Sequence, residues 1–188
     1  MRGTDKLLEH VEGRPVLALL ALRALAAGAP VLVTLPPGAA DRAAALAGLA
    51  LTRQEVPDAT EGMAASLRAG AAAAQAGGHS ALMVLPADMP EIETADIAGM
   101  LAAFDAAPLP RPILRATTAD GRPGHPVILP ARMFDDLGVV AGDSGGRAVL
   151  RANAAEIKDH ALPGTRAVTD LDTPEAWAAW RAGKPAPG

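Results

Sequence analysis

The sequence predicts an α/β domain built around a mainly parallel sheet. Segments with a helical spacing of apolar residues alternate with short apolar runs that lack the period-two pattern of half-exposed strands. Strands of that kind are typical of sheets covered on both faces, which are mainly parallel. No repeat or low-complexity linker divides the 188 residues. We therefore expect one domain over residues 1–183, followed by a short mobile tail at 184–188.

Four helix–strand pairs follow one another in the first part of the chain. The first helix carries closely spaced leucines, and Gly28 and Pro30 end it. Gly77-Gly78 ends the third helix in the same way. The predicted pairs are helix 15–27 with strand 31–35, helix 39–47 with strand 51–56, helix 61–75 with strand 81–85, and helix 94–106 with strand 113–117.

The alternation loosens after Thr117. We expect a Gly/Pro-rich turn, a short strand at 127–129, a short helix near Met133, and then a helix at 147–152, a strand near Ile157 and a helix after Thr173. Ligands of parallel α/β sheets bind beyond the carboxyl ends of the strands. Polar residues that directly follow the apolar strands are therefore the first candidates for a functional site.

Composition excludes several classes of function. The chain has 17 Lys and Arg against 21 Asp and Glu, a net charge of -4, and no block of like charge, which disfavours a nucleic-acid partner. It has no cysteine, so any metal would be held by oxygen or histidine ligands. The sequence has no apolar run of membrane length and no signal-peptide pattern. We therefore expect a cytoplasmic protein that does not bind membranes.

Two acidic motifs are candidate metal sites. Asp88 in LPADMP follows a predicted buried strand and lies between two prolines, where its carboxylate could bind magnesium or simply order a strand-to-helix loop. Asp170 and Asp172 in VTDLDTPEAW are two residues apart and would share one face of an extended segment. Helix capping explains the Thr-Pro-Glu that follows, but it does not explain both aspartates.

Three further motifs combine glycine with polar residues. His125 in GRPGHPV lies just before a predicted strand. The turn 142–147 in GDSGGRAVL opens a helix, and its amides together with Arg147 could receive an anion. Gly62 and Ser66 in EGMAASLRAG lie at the start of another helix. Each motif also has an ordinary explanation: a solvated histidine, a plain helix cap, or close packing of an Ala-rich helix.

Taken in order, these motifs resemble the MobA-like nucleotidyltransferase family. The resemblance covers nearly the whole chain, through DKLL with Lys6, GRPVL, EGMAASLRAG, LPADMP, GHPV, GDSGGR and DLDTPE. Within the family, GMAASL with GHPV and DLDTPE is most similar to molybdenum cofactor cytidylyltransferases, rather than to the guanylyltransferase branch. The resemblance implies the three-layer α/β/α, Rossmann-like fold of the nucleotide-diphospho-sugar transferases.

The resemblance also implies an activity. CTP and molybdopterin cofactor would give the cytosine dinucleotide form and pyrophosphate, with Mg²⁺ as the metal. A molybdoenzyme that receives the product, or its chaperone, would be a partner. The implied roles are Asp88 as magnesium ligand, Asp170 or Asp172 as a second carboxylate, Lys6 near the nucleotide phosphates, Gly62 and Ser66 beside the nucleotide, and His125 and Arg147 on the side that receives the pterin.

The resemblance carries an expectation about the N-terminus. Members of the family begin with a strand and a glycine-rich loop of the form Leu-Ala-Ala-Gly-x-Ser-x-Arg-Met, and Met1 aligns with the last residue of that loop. The strand, the phosphate-cradling amides and the loop arginine are then absent from this chain. We expect the native protein to be longer, and the sheet to have an exposed edge where that strand would pair.

Two alternatives remain open at this point. The chain could be a catalytically silent nucleotidyltransferase-like module that binds cofactor or a partner enzyme through the side carrying His125. It could instead transfer a nucleotide to another phosphorylated acceptor, such as a sugar phosphate, because a fold does not fix a substrate. The retained Asp88, Asp170 and Asp172 argue against a silent module.

Overall fold

The computed structural model describes residues 5–58, 61–142 and 145–183. The expected tail at 184–188, the alignment of Met1 and two residues of the 142–147 turn lie outside these ranges. In the described part, the helices are α1 Val16–Ala26, α2 Ala40–Ala45, α3 Met63–Ala76, α4 Thr94–Ala106, α5 Phe134–Gly138, α6 Gly145–Ala152 and α7 Pro174–Gly183. The strands are β1 His10–Val11, β2 Arg14–Pro15, β3 Leu32–Leu35, β4 Thr52–Glu55, β5 Ala81–Val84, β6 Ile113–Thr117, β7 Pro123–Pro130 and β8 Ile157–Ala161.

The fold class is confirmed, but the main sheet is mixed and not mainly parallel. Its strand order is β5-β7-β6-β8, with β7 antiparallel to both neighbours and β6 parallel to β8. Residues 118–122 join β6 to β7, and so short a connection forces a reversal because a parallel pair needs a long crossover. Strands β3 and β4 form a separate parallel pair, and β1 and β2 form a short hairpin.

Strand β7 is longer than the predicted strand at 127–129. It runs over Pro123–Pro130 and contains three prolines, which lack the N–H that a central strand normally donates. Its pairing with β6 shifts register between Arg115 and Thr117. Pro123 and Pro130 lie at the two ends of the strand and Pro126 lies in its irregular stretch, so local sequence patterns reveal only residues 127–129 as a strand.

Helices cover both faces of the four-stranded sheet, which confirms the three layers. On β6 and β7, alternate residues point into two separate cores. Leu114 and Ile128 pack with α1, α4 and the buried Trp177 of α7. Ile113 and Val127 pack on the other face with α3, α5 and α6. No helix in the described ranges is long and apolar enough to cross a membrane.

Strands β3 and β5 lie beneath the same two helices but do not pair with each other. Helix α1 places Leu17 in a cluster with β3, and Leu20 in the core that includes residues of β5. Helix α3 also contacts both strands. Within the described ladders, β3 pairs only with β4 and β5 only with β7. Each strand therefore has one edge without a β-partner there.

Candidate active site

The side chains of Lys6, Asp88 and Asp172 meet although they are far apart in sequence. The Lys6 Nζ donates a hydrogen bond to Asp88 Oδ2 at 2.6 Å and a second one to Asp172 Oδ1. The exposed fractions of the side chains are 31% for Lys6, 15% for Asp88 and 64% for Asp172. One ammonium is thus shared by a deep carboxylate and a solvent-facing carboxylate.

Lys6 is held in this position by a short 3₁₀ helix over Lys6–Leu8. Asp5 caps this helix, since its Oδ1 accepts a hydrogen bond from the Leu7 N–H at 3.0 Å. Arg42 of α2 donates to the same carboxylate from Nε at 2.5 Å and from Nη2 at 3.0 Å. Burial opposes ionisation of Asp5, but the hydrogen bonds from Arg42 and Leu7 outweigh it and lower the pKa of Asp5.

Asp5 and Arg42 position the turn that carries Lys6, and the sequence reasoning missed both of them. An aspartate one residue before a helical turn is a recognisable capping signal, so Asp5 could have been found. Arg42 carries no such signal, because its partner lies 37 residues away.

Asp88 follows β5 in a loop that is bound to the segment carrying Asp172. The backbone carbonyl of Asp88 accepts a hydrogen bond from the Leu171 N–H at 3.1 Å. The side chains of Met89 and Leu171 are buried and anchor the two segments. Asp88 therefore lies beyond the carboxyl end of a strand, as the sequence predicts for a ligand-binding residue.

A second connection joins the same two segments. Arg166 precedes the Asp170–Asp172 segment, and its Nη2 contacts Glu93 Oε1 at 3.0 Å while its Nη1 contacts Asp96 Oδ2 at 3.1 Å. Glu93 and Asp96 form a capping box at the start of α4, directly after the Asp88 loop. Asp96 is buried, so this ion pair is part of the supporting structure.

The two aspartates of DLDTPE have different contacts. Asp172 bonds to Lys6, whereas the described contacts of Asp170 do not include the Lys6 ammonium. The negative charge of Asp170 instead acts on His125, where it opposes the lowering of the pKa by burial. Leu171 between them is buried while both aspartates are exposed. The structure thus brings Asp172 directly to Lys6 and Asp88, and Asp170 to the histidine side.

The hydrogen bonds to Lys6 also affect its charge state. Burial opposes protonation, but the hydrogen bonds to Asp172 and Asp88 outweigh it and raise the pKa of Lys6. Lys6 therefore stays an ammonium ion throughout the neutral pH range.

His125 lies on β7 just beyond the paired residues Val84 and Val127, next to the Asp88 loop. Burial lowers the pKa of His125, and Arg147 lowers it further, whereas the Val84 carbonyl, Asp88 and Asp170 oppose this. The imidazole is therefore neutral near pH 7. Its Nδ1 and the Asp88 Oδ1 are both buried without a hydrogen-bond partner among the described residues.

A close backbone approach places His125. A Cβ on Gly124 would lie 1.8 Å from the carbonyl oxygen of Ala167, so only glycine allows β7 to approach the segment that leads to Asp170. This is the physical reason for glycine directly before His125.

The remaining predicted residues surround this group at greater distance. Arg147 is exposed in the first turn of α6 and acts electrostatically on His125. Gly62 is exposed at the N-cap of α3 with φ of 66°. The Oγ of Ser66 accepts a hydrogen bond from Thr34 Oγ1 at 3.0 Å, which joins α3 to β3. The described hydrogen bonds and ion pairs do not link Gly62 or Ser66 to Lys6.

The acidic residues fit a metal that also takes ligands from its substrate. The described residues contain no cluster of three or more histidine, aspartate or glutamate side chains arranged for a metal ion. Magnesium is usually bound by one or two carboxylates together with substrate phosphates, not by a cage of protein ligands. Asp88 and Asp172 supply that number, and the buried Asp88 Oδ1 has no hydrogen-bond partner in the described part of the chain.

Comparison with protein families identifies the chain. The model of the MobA-like NTP transferase domain matches residues 1–158. The protein belongs to this family. It is a nucleotidyltransferase, and Asp88 lies within the matched region. A comparison with curated proteins finds no match.

Solved structures agree on the fold of this MobA-like transferase. The Rv0371c protein of Mycobacterium tuberculosis H37Rv is 25% identical with a TM-score of 0.79, covering 96% of this chain and 90% of that one. Its complex with manganese has 23% identity, a TM-score of 0.76 and coverages of 95% and 92%. A CMP:2-keto-3-deoxy-manno-octonic acid synthetase complexed with CTP has 14% identity, a TM-score of 0.70 and coverages of 94% and 90%. The nucleotide-diphospho-sugar transferase fold is thereby confirmed.

Proposed function

We propose that this MobA-like transferase joins CTP to molybdopterin cofactor, giving the cytosine dinucleotide form and pyrophosphate. The observation that carries the proposal is the pair of carboxylates, Asp88 and Asp172, held around one cation beyond the end of β5. The motifs GMAASL, GHPV and DLDTPE support the cytidylyl branch. A structural neighbour that is complexed with CTP is compatible with that nucleotide.

In this proposal Asp88 and Asp172 would hold Mg²⁺ at the phosphates of CTP. Manganese in one complex of the structural neighbour from M. tuberculosis supports a divalent cation in this fold. The metal would neutralise charge on the phosphates and help to align them. Asp170 is the alternative second ligand, because it lies only two residues from Asp172.

The protein residues bind and orient the two substrates. Lys6 contributes a positive charge for the triphosphate, and Gly62 and Ser66 border the nucleotide at the start of α3. His125 and Arg147 face the acceptor. The neutral imidazole of His125 offers a hydrogen bond without adding charge, while the exposed Arg147 offers a cation to the acceptor phosphate.

The reaction needs no protein nucleophile. An oxygen of the acceptor's terminal phosphate attacks the α-phosphorus of CTP, the new P–O bond forms, and the bond to the β-phosphate oxygen breaks to release pyrophosphate. Catalysis of this kind depends on alignment and on charge stabilisation of the phosphates. In this proposal Lys6 contributes positive charge, and both reactants would bind beyond the carboxyl end of β5.

The test is pyrophosphate release with Mg²⁺, measured for each pairing of CTP or GTP with molybdopterin cofactor or a sugar phosphate. We expect release with CTP and molybdopterin cofactor, and little release with the other pairings. Release with a sugar phosphate would mean that the acceptor is not molybdopterin cofactor. A preference for GTP would mean that the protein is a guanylyltransferase. Binding of cofactor without any release would indicate a silent module.

A further inference from the structure

We infer that Lys6 occupies the cation position of the acidic pair and leaves it when nucleotide and metal bind. The inference rests on the proposed function, since it assigns the same two carboxylates to the metal. Lys6 Nζ bonds to Asp88 and to Asp172 at once, so this single ammonium sits where a shared metal ion would bind. Nucleotide and metal binding are then coupled through one side chain.

The geometry makes the ammonium and a metal ion mutually exclusive. Hydrogen-bond contact with Lys6 uses Asp88 Oδ2 and Asp172 Oδ1, one oxygen from each carboxylate. A divalent cation on the same oxygens would lie against the ammonium, and like charges at contact distance repel strongly in a partly buried site. The bound ammonium therefore weakens metal binding in the absence of nucleotide.

The chain provides for movement of the Lys6 side chain while its backbone stays fixed. Asp5 caps the 3₁₀ helix and is bound by Arg42, and Leu7 is packed against the core. The lysine side chain has a flexible stem of four carbons, and 31% of the side chain is exposed. The ammonium can thus leave the carboxylates by rotation alone, without displacing the helix that carries it.

Nucleotide phosphates offer the ammonium a new partner. When the triphosphate binds, Lys6 transfers its hydrogen bonds to phosphate oxygens, and Asp88 and Asp172 become free for the metal. The metal then binds more tightly with nucleotide present than contact with the phosphates alone would explain. By linkage, the metal strengthens nucleotide binding by the same factor.

The first experiment measures Mn²⁺ affinity without nucleotide, by electron paramagnetic resonance, for wild type, Lys6→Met and Lys6→Arg. We expect Lys6→Met to bind Mn²⁺ about tenfold more tightly than wild type, within the usual range of such couplings. Lys6→Arg is the matched control, because it retains a cation and should bind as weakly as wild type. Adding Asp88→Asn to Lys6→Met should remove the gain. Equal or weaker binding by Lys6→Met would overturn the inference.

A second measurement uses the wild-type sequence and does not depend on the variants folding. The sequence has only three lysines, so labelling lysine at its ε-carbon with ¹³C gives few signals to assign and leaves the ammonium group unchanged. The Lys6 signal should shift when CTP and Mg²⁺ are added together. A Lys6 signal that stays unchanged while both are bound would contradict the exchange. If CTP does not bind at all, the proposed function fails, whereas the Mn²⁺ titrations of Lys6→Met still decide the inference.

Discussion

The β3–β4 pair and the four-stranded sheet are built differently, although α1 and α3 pack against both. In β6, four of five residues are buried, and the strand is paired on both edges. In β3, three of four residues are half-buried, and in β4 three of four are exposed. The four-stranded sheet has a core on each face, whereas the β3–β4 pair has one ladder and one smaller hydrophobic cluster.

The candidate site takes its residues from both of these regions. Asp88 and His125 are positioned by strands of the four-stranded sheet, β5 and β7. Lys6 is positioned from the other region, because its 3₁₀ helix contacts α1 and α2 and is bound by Arg42. The contact of Lys6 with Asp88 is therefore an ion pair between the more deeply buried four-stranded sheet and the less buried β3–β4 region.

Replacing Asp88 should give the largest effect, because it removes the partner of Lys6 on the side of the four-stranded sheet. We expect Asp88→Asn to reduce pyrophosphate release about a thousandfold, because the change removes the deeper carboxylate proposed to hold the metal. Steady-state kinetics with Mg²⁺ measure this, and circular dichroism checks the fold. Asp136→Asn, an exposed acid on α5, is the control. Full activity of Asp88→Asn would remove Asp88 from the proposed metal site.

Adding one methyl group at Gly124 should destabilise the four-stranded sheet, because Gly124 lies on β7. A Cβ there would lie 1.8 Å from the Ala167 carbonyl oxygen. We expect Gly124→Ala to lower the free energy of unfolding by about 1–3 kcal/mol, the range for overpacking. Urea denaturation measures the change. Gly138→Ala is the matched control, because its Cβ would meet nothing within 4 Å. Equal stability of the two variants would mean that the close approach is not required.

Neutralising Asp5 tests how the 3₁₀ helix that carries Lys6 is held by Arg42 of α2. Asparagine keeps the helix cap but loses the ion pair with Arg42, so Asp5→Asn should cost under about 1 kcal/mol near neutral pH. The folded state lowers the pKa of Asp5 below its ordinary 3.8. Its stabilisation is therefore present above that value and is lost as the pH falls through the lower, folded-state pKa. Urea denaturation across pH should show the wild type and variant converging in acid. A difference that is constant with pH would contradict this assignment.

The smallest effect is expected where α3 meets β3. Thr34→Val and Ser66→Ala each remove the hydrogen bond between these two side chains and should each lower stability by about 1 kcal/mol or less. Their double variant should lose less than the sum of the two, since both remove one shared interaction. Only Ser66→Ala should raise the KM for CTP, with Thr34→Val as its control. Equal KM changes in both would make Ser66 a structural residue.

Much of the fold could be predicted because its signals are local. The spacing of apolar residues, together with the glycines that end several helices, predicts four helix–strand pairs up to Thr117. The structure contains all four pairs. The order of the strands could not be predicted, because it depends on pairing between distant residues. The mixed sheet arises from the short link between β6 and β7, and the prolines of β7 concealed most of that strand.

The site divides in the same way. Asp88 could be found because an acidic residue after a buried strand is a local pattern, and Asp172 because helix capping leaves it unexplained. Lys6 was found only through family resemblance, since a lysine in a polar turn carries no signal by itself. Its contact with Asp88 spans 82 residues, and only the folded chain brings the two together.

The links between the Asp88 loop and the 166–172 segment also govern local unfolding. The Leu171 amide is bonded to the Asp88 carbonyl, and Arg166 is bonded to the start of α4. Opening either segment breaks the same contacts, so both should open as one cooperative unit. In hydrogen–deuterium exchange, the hydrogen-bonded amides of Leu171 and Asp96 should therefore exchange at similar rates. Both carboxylates would then be organised, or lost, in a single event.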